Sequence, residues 1–236
     1  MSDLEKRLAT IRQQLKTTAA DYQQPVPQLL AVSKKHPAAD IDALYQAGQR
    51  AFGESYVQEA TAKQASLAHL AIEWHFIGPI QANKTRDIAN HFTWVHSVDR
   101  LKIARRLNDQ RGGEAAANGD SANRTERPLN ICVQVHIDNE TNKAGVAPAD
   151  TPALCEAIQA FPNLHLRGLM CIPRKQTEFT AQRQAFARLA GLFKDLNTRG
   201  FELDTLSMGM SNDFAAAIAE GTTLVRIGTA LFGERD

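Results

Sequence analysis

The pattern that most narrows the fold of this chain is an alternation. Short apolar runs at 28–33, 51–53, 73–77, 94–97, 130–135, 164–170, 203–207 and 224–228 are separated, nearly everywhere, by longer stretches with helical periodicity. Consecutive apolar residues in a short run are what a strand buried on both faces requires. Strands that alternate with helices pair in parallel through right-handed crossovers. Eight such runs match the strand number that closes a (β/α)8 barrel. The expected fold is therefore α/β, a single (β/α)8 TIM barrel. An open doubly wound sheet is the rival. A Gly-rich dinucleotide turn after an early strand would favour it, and no GxGxxG occurs.

The length suits one such barrel: the 236 residues fall within the roughly 200–250 that these barrels often occupy undivided. Residues 1–236 are therefore read as one domain. Ser2 and Glu5 stand at capping-box spacing, and Leu4, Leu8, Ile11 and Leu15 share one helical face. An extra helix should precede the first strand. Residues 111–128 are polar, rich in Gly and Asn, and without periodicity. They read as a mobile surface insertion.

Composition excludes several classes of function. Lys and Arg number 27 against 26 Asp and Glu, for a net charge of +1. Such a chain has no strong electrostatic footprint for nucleic acid or an anionic membrane. Cys132, Cys155 and Cys171 are too far apart for a CxxC site, and an odd count does not read as a disulfide framework. No apolar run approaches the roughly 20 residues of a membrane span, and the N-terminus has no apolar signal core. The expected location is the cytoplasm.

Sites in these barrels lie at the C-terminal ends of the strands. The first run ends in Ser33-Lys34-Lys35-His36. A lysine desolvated at the barrel mouth holds its proton less firmly and can form a Schiff base with an aldehyde. In a solvated loop either lysine is an ordinary surface charge. Lys34 is nearer the strand and better placed.

The seventh and eighth runs lead into Ser207-Met208-Gly209-Met210-Ser211-Asn212-Asp213 and Gly228-Thr229-Ala230. Loops at these two positions often bind phosphate through hydroxyls and main-chain N–H groups. Their other reading is as caps and turns alone. Arg226 lies inside the eighth run, where an arginine must be paired or functional. An aldehyde-binding lysine, a phosphate cradle and an arginine for a ring nitrogen together suit pyridoxal 5'-phosphate. His75, in Glu73-Trp74-His75-Phe76-Ile77, either faces that cofactor or is a satisfied core residue. Lys143 follows the fifth run, in a segment that reads equally as a solvated loop.

At these residues the sequence resembles a known family. Leu30-Ala31-Val32-Ser33-Lys34, Phe52-Gly53-Glu54-Ser55-Tyr56-Val57-Gln58-Glu59, and Trp74-His75-Phe76-Ile77-Gly78-Pro79-Ile80-Gln81-Ala82-Asn83-Lys84 carry the likeness. So do Arg167-Gly168-Leu169-Met170, the seventh-run loop, and Val225-Arg226-Ile227-Gly228-Thr229-Ala230-Leu231-Phe232-Gly233. They are similar to the YggS/PROSC (PLPBP) family of pyridoxal-phosphate homeostasis proteins. The resemblance implies a barrel like the N-terminal domain of alanine racemase. It implies that Lys34 carries pyridoxal phosphate as an aldimine. Ser207, Ser211, Gly228 and Thr229 match phosphate-binding positions, Arg226 the position facing the pyridine nitrogen, and Lys143 a lysine near the mouth. Ser55 departs from the family's FGENY, which puts that position's contact in question.

Two functions of a pyridoxal-phosphate protein then compete, beside a cofactor-free Schiff-base aldolase barrel that would leave Arg226 unexplained. One is a cofactor carrier that takes part in intracellular pyridoxal-phosphate homeostasis and passes the cofactor to apo-enzymes. The other is a pyridoxal-phosphate-dependent amino-acid racemase, which needs an acid/base group on each face of the cofactor. The sequence ends soon after the eighth run, and none of Tyr22, Tyr45 and Tyr56 ends a late strand. The expectation is a monomeric carrier with no second domain and no opposing base.

Overall fold

The computed structural model describes residues 2–111, 128–138 and 144–234. Its strands are β1 (Gln28–Val32), β2 (Ala51–Glu54), β3 (Glu73–Phe76), β4 (Trp94–Val98), β5 (Leu129–Gln134), β6 (Leu164–Met170), β7 (Thr205–Ser207) and β8 (Leu224–Ile227). They pair in parallel, in chain order, and β8 returns to β1, so the sheet is a closed barrel. The expected (β/α)8 architecture is what the chain forms.

The helices are α1 (Asp3–Asp21), α2 (Ala38–Gln46), α3 (Val57–Ser66), α4 (Thr85–His91), α5 (Leu101–Arg111), α6 (Thr151–Gln159), α7 (Phe179–Thr198), α8 (Phe214–Ala219) and α9 (Thr229–Phe232). The capping box at α1 forms: the Ser2 hydroxyl accepts from Glu5 N–H, and Glu5 accepts from Ser2 N–H. Its buried face, Leu8, Ile11, Leu15 and Ala19, packs against α2, α8 and α9. None of the described helices is long and apolar enough to cross a membrane.

Side chains alternate across each strand, so every second residue points into the barrel. Leu30, Ala51 and Leu224 meet in one inner cluster, and Trp94, Cys132 and Met170 in another. Their outward neighbours, such as Phe52, Phe76, Val95 and Ile131, join the large apolar layer beneath the helices. Each fully buried Phe, Leu or Ile there contributes on the order of 1.5–3 kcal/mol.

One local difference from the sequence reading has a clear cause. β7 starts at Thr205, not at 203, because the Asn197 side chain takes both main-chain groups of Leu203 (2.8 and 2.9 Å) away from the ladder. Phe179, in the first turn of α7, is 39% exposed and stacks on Tyr22. Most of the expected insertion at 111–128, and Lys143, lie outside the described residues.

Candidate functional site

The C-terminal mouth of the barrel encloses a cavity of about 490 Å³, within the ~300–1,000 Å³ of small-ligand sites. It brings together Lys34, Ser211, Arg226, Gly228 and Thr229, five of the residues expected from sequence. They come from the loops after β1, β7 and β8 and from β8 itself. Ser55, at the end of β2, lines the same space. Gly78 lies against it: a Cβ there would sit 2.2 Å from the Ser55 carbonyl oxygen.

The β7–α8 loop is shaped by its own packing. Gly209 has φ +92°, and a Cβ on it would lie 2.7 Å from that of Ala217 on α8. Asp213 occupies the N-cap of α8 but makes no cap bond. Its carboxylate accepts from Met210 N–H at 2.6 Å, and burial raises its pKa above the ordinary value. Ser211 and Asn212 are thereby carried on a short loop at the cavity edge.

Arg226 is 4% exposed, and among the described residues no carboxylate pairs with it. Nη1 donates to the Ser207 carbonyl (2.7 Å) and hydroxyl (2.8 Å), and Nη2 to the Cys171 carbonyl (2.8 Å). Three of the five guanidinium N–H donors are used, which leaves two for the cavity that Arg226 lines. Burial lowers its pKa, but an arginine stays charged in any protein.

Behind Arg226 a single file of polar groups descends through the barrel. His96 Nδ1 lies 2.9 Å from Ser207 Oγ, His96 Nε2 lies 2.8 Å from His75 Nδ1, and His75 Nε2 lies 2.7 Å from Glu73 Oε1. Burial lowers the pKa of both imidazoles, strongly at His96, while the hydrogen bond from His75 lowers that of Glu73. An ionised carboxylate only accepts, so His75 donates to Glu73. Neutral His75 then accepts from His96, and neutral His96 accepts from the Ser207 hydroxyl. The donors all point one way, from Arg226 to Glu73.

This file corrects two sequence expectations. His75 does not face the cavity: it is fully buried in the barrel interior, stacked on Trp94 at 5.3 Å, with both ring nitrogens engaged. Ser207 is not a lining residue either, because its hydroxyl is held between Arg226 and His96. Both sit one layer too deep. His96 and Glu73 were not singled out from sequence, and only an inward-facing polar residue on a buried strand hinted at them. Lys175, Ile172 and Met210 also line the cavity and were equally missed.

A second buried cluster lies under the β1–α2 turn. Glu54 Oε1 accepts from the Ser33 hydroxyl and from Lys63 Nζ, both at 2.7 Å. Lys63 on α3 also reaches Glu59 at 2.6 Å. The i, i+4 spacing of Glu59 and Lys63 reads in sequence as a surface pair, yet Lys63 is 7% exposed. Among the described residues no group of His, Cys, Asp and Glu could hold a metal ion. Burial pushes the Cys171 thiol up to about 12, and raises that of Cys132 as well, so neither is a ready nucleophile.

An amine, hydroxyl-bearing loops and an arginine at one end of a (β/α)8 barrel define a cofactor-barrel class. Residues 7–236 match the family described as alanine racemase, N-terminal domain. The chain is 53% identical to the pyridoxal phosphate homeostasis protein of Pseudomonas aeruginosa, over 100% of its length and 97% of the relative's. It is 44% identical to the protein of that name in Escherichia coli K12, covering 100% and 98%. PipY of Synechococcus elongatus PCC7942, solved with PLP bound, is 39% identical with a TM-score of 0.83 over 98% of this chain and 100% of that one. Alanine racemase of Corynebacterium glutamicum, 17% identical with a TM-score of 0.68 over 98% of this chain and 61% of that one, shares the fold. The chain belongs to the pyridoxal phosphate homeostasis proteins of the alanine racemase N-terminal domain family.

Proposed function

We propose that this protein binds pyridoxal 5'-phosphate through a Schiff base at Lys34, and serves in the intracellular handling of that cofactor rather than as an enzyme. The observation that carries the reading is the convergence of Lys34, Ser211, Gly228, Thr229 and Arg226 on one cavity of about 490 Å³. The lining fits the cofactor chemically. Lys34 supplies an amine for the aldehyde, condensing with loss of water. Ser211, Thr229 and the Gly228 turn supply hydroxyls and main-chain donors for a phosphate. Arg226 keeps two donors for the ring nitrogen. The PLP-bound PipY structure and the names of the relatives support the same reading.

When bound, the cofactor supplies an electrophilic carbon and an electron-withdrawing ring. An arginine that donates to the ring nitrogen keeps that nitrogen unprotonated, which weakens the ring as an electron sink. Among the described residues the other titratable lining groups are Lys175 and Asp213, with no tyrosine or histidine beside them. A carrier needs no opposing pair of acid and base, whereas two-base racemisation does. We place the protein in the cytoplasm as a monomer of one domain, with apo-enzymes as recipients.

Borohydride reduction of the loaded protein, followed by peptide mapping, tests the site. The expected adduct is on Lys34, and Lys34→Ala should stay folded and lose the visible band. An adduct elsewhere, or no band in the wild-type protein, overturns the assignment. Robust turnover of any amino acid by the loaded protein would favour the racemase reading.

A further inference from the structure

We propose that Lys63 and Glu59, both outside the cavity lining, are positioning residues that hold the Lys34 turn in the conformation its Schiff base requires. The inference rests on the Lys34 reading above and deepens it.

The turn Ser33-Lys34-Lys35-His36 closes with His36 N–H donating to the Ser33 carbonyl at 3.1 Å. Lys35, its third residue, has φ +64°. That left-handed conformation favours glycine and strains a lysine. Strained backbone of this kind persists where its surroundings over-determine it, and such surroundings cluster at functional sites.

Here the surroundings are charged. Lys63 Nζ donates to the Ser33 carbonyl at 2.8 Å, which holds the peptide on the N-terminal side of Lys34. Lys35 N–H donates to Glu59 Oε1 at 2.5 Å, which holds the peptide on the C-terminal side. The two holding groups are joined by the 2.6 Å contact between Lys63 and Glu59. Both peptide planes that bound the Lys34 Cα are therefore tied to one ion pair on α3. Glu54, fully buried at the end of β2, anchors that pair from below: its Oε1 accepts from Lys63 and from the Ser33 hydroxyl. Two of the cluster's bonds go to main-chain atoms of the turn, the Ser33 carbonyl and the Lys35 N–H. Charge-assisted hydrogen bonds suit this task because they are short and about twice as strong as neutral ones.

The test compares two probes on variant proteins. Pyridoxal 5'-phosphate uses the whole site. Pyridoxine 5'-phosphate has the same ring and phosphate but no aldehyde, so it reports on everything except the link to Lys34. Lys63→Met should weaken pyridoxal phosphate by about tenfold or more and change pyridoxine phosphate by less than about twofold. Lys63→Arg, which keeps the charge and the donors, should recover part of the loss. The pH at which the visible band shifts should move in Lys63→Met, as a purely structural role would not require. Should Lys63→Met fail to fold, Glu59→Ala carries the test, since it removes the acceptor of the Lys35 N–H while Lys63 keeps Glu54, and Glu59 is part-exposed at 27%. Equal weakening of both probes, or no selective loss in either folded variant, overturns the proposal while Lys34→Ala still loses the band. A band that survives in Lys34→Ala overturns the Lys34 reading, and the positioning role falls with it.

Discussion

Between Glu73 and Arg226 the barrel interior is bridged by neutral groups in single file, while Glu54, Lys63 and Glu59 are ions in direct contact. The file spans the height of the barrel, and each link has one donor and one acceptor. The ion cluster is compact, and its ammonium serves several acceptors at once. A neutral file keeps a distant arginine oriented without placing a further charge beside it. A charged cluster fixes backbone at short range. The same cavity thus has its Arg226 side set by hydrogen-bond direction and its Lys34 side set by charge.

The largest effect is expected on the charged side. Lys63→Met leaves Glu54 buried without its counter-ion, and breaking such a pair costs about 3–5 kcal/mol. A urea unfolding series would show it. Adding Glu54→Gln to that variant should recover much of the loss, because no buried charge then remains. A double variant as unstable as the single one would mean that the ammonium matters for packing rather than for charge.

His96→Leu tests the neutral file. It preserves bulk but orphans the Ser207 hydroxyl and His75 Nδ1, for an expected cost of about 2–3 kcal/mol. Nitrogen NMR of the wild-type imidazoles should show both rings neutral, with the proton on Nε2 in each. Any other tautomer would reverse the direction of the file.

Acid should separate the two clusters by sign. His75 and His96 have folded pKa values below the ordinary 6.5. The unfolded chain therefore binds more protons, and their contribution, present above about pH 6.5, is lost as pH falls toward the folded values, at up to ~1.4 kcal/mol per pH unit for each ring. Glu54 has a folded pKa above the ordinary 4.5 because burial outweighs the pull of Lys63. Its contribution grows as pH falls through the folded value toward 4.5. His96→Leu should flatten the acid loss measured by urea midpoint, and Glu54→Gln should steepen its lower part. Parallel curves for wild type and both variants would refute these signs.

The smallest effect is expected from Glu59→Gln, below about 1 kcal/mol in stability because the carboxylate is part-exposed at 27% and its amide replacement still accepts from Lys63 and Lys35. A loss as large as that of Lys63→Met would place Glu59 among the buried ions.

The strands and the cavity residues were legible in the sequence for a local reason. An apolar run and its bounding turn are set by neighbours in the chain, so 28–33 and 224–228 announced β1 and β8, and the polar residues just beyond them announced Lys34, Gly228 and Thr229. Arg226 stood out as a charge within such a run. The identity of the family followed from those same segments. The depth of a side chain in the barrel was not legible. Ser207 and His75 sit on the right strands, but whether they face ligand or core depends on how the strands are staggered when the barrel closes. Lys63 stands four residues after Glu59 on α3, the spacing of a helix surface pair. Only the closure of β1 against β2, with α3 laid over the seam, turned it inward onto Ser33 and Glu54. Sequence by itself determined which segments become strands and which polar residues stand at their ends, because those choices depend on nearby residues. Tertiary structure alone decided which polar groups line the cavity and which are buried behind it, because burial and pairing of a charge depend on contacts between segments far apart in the chain.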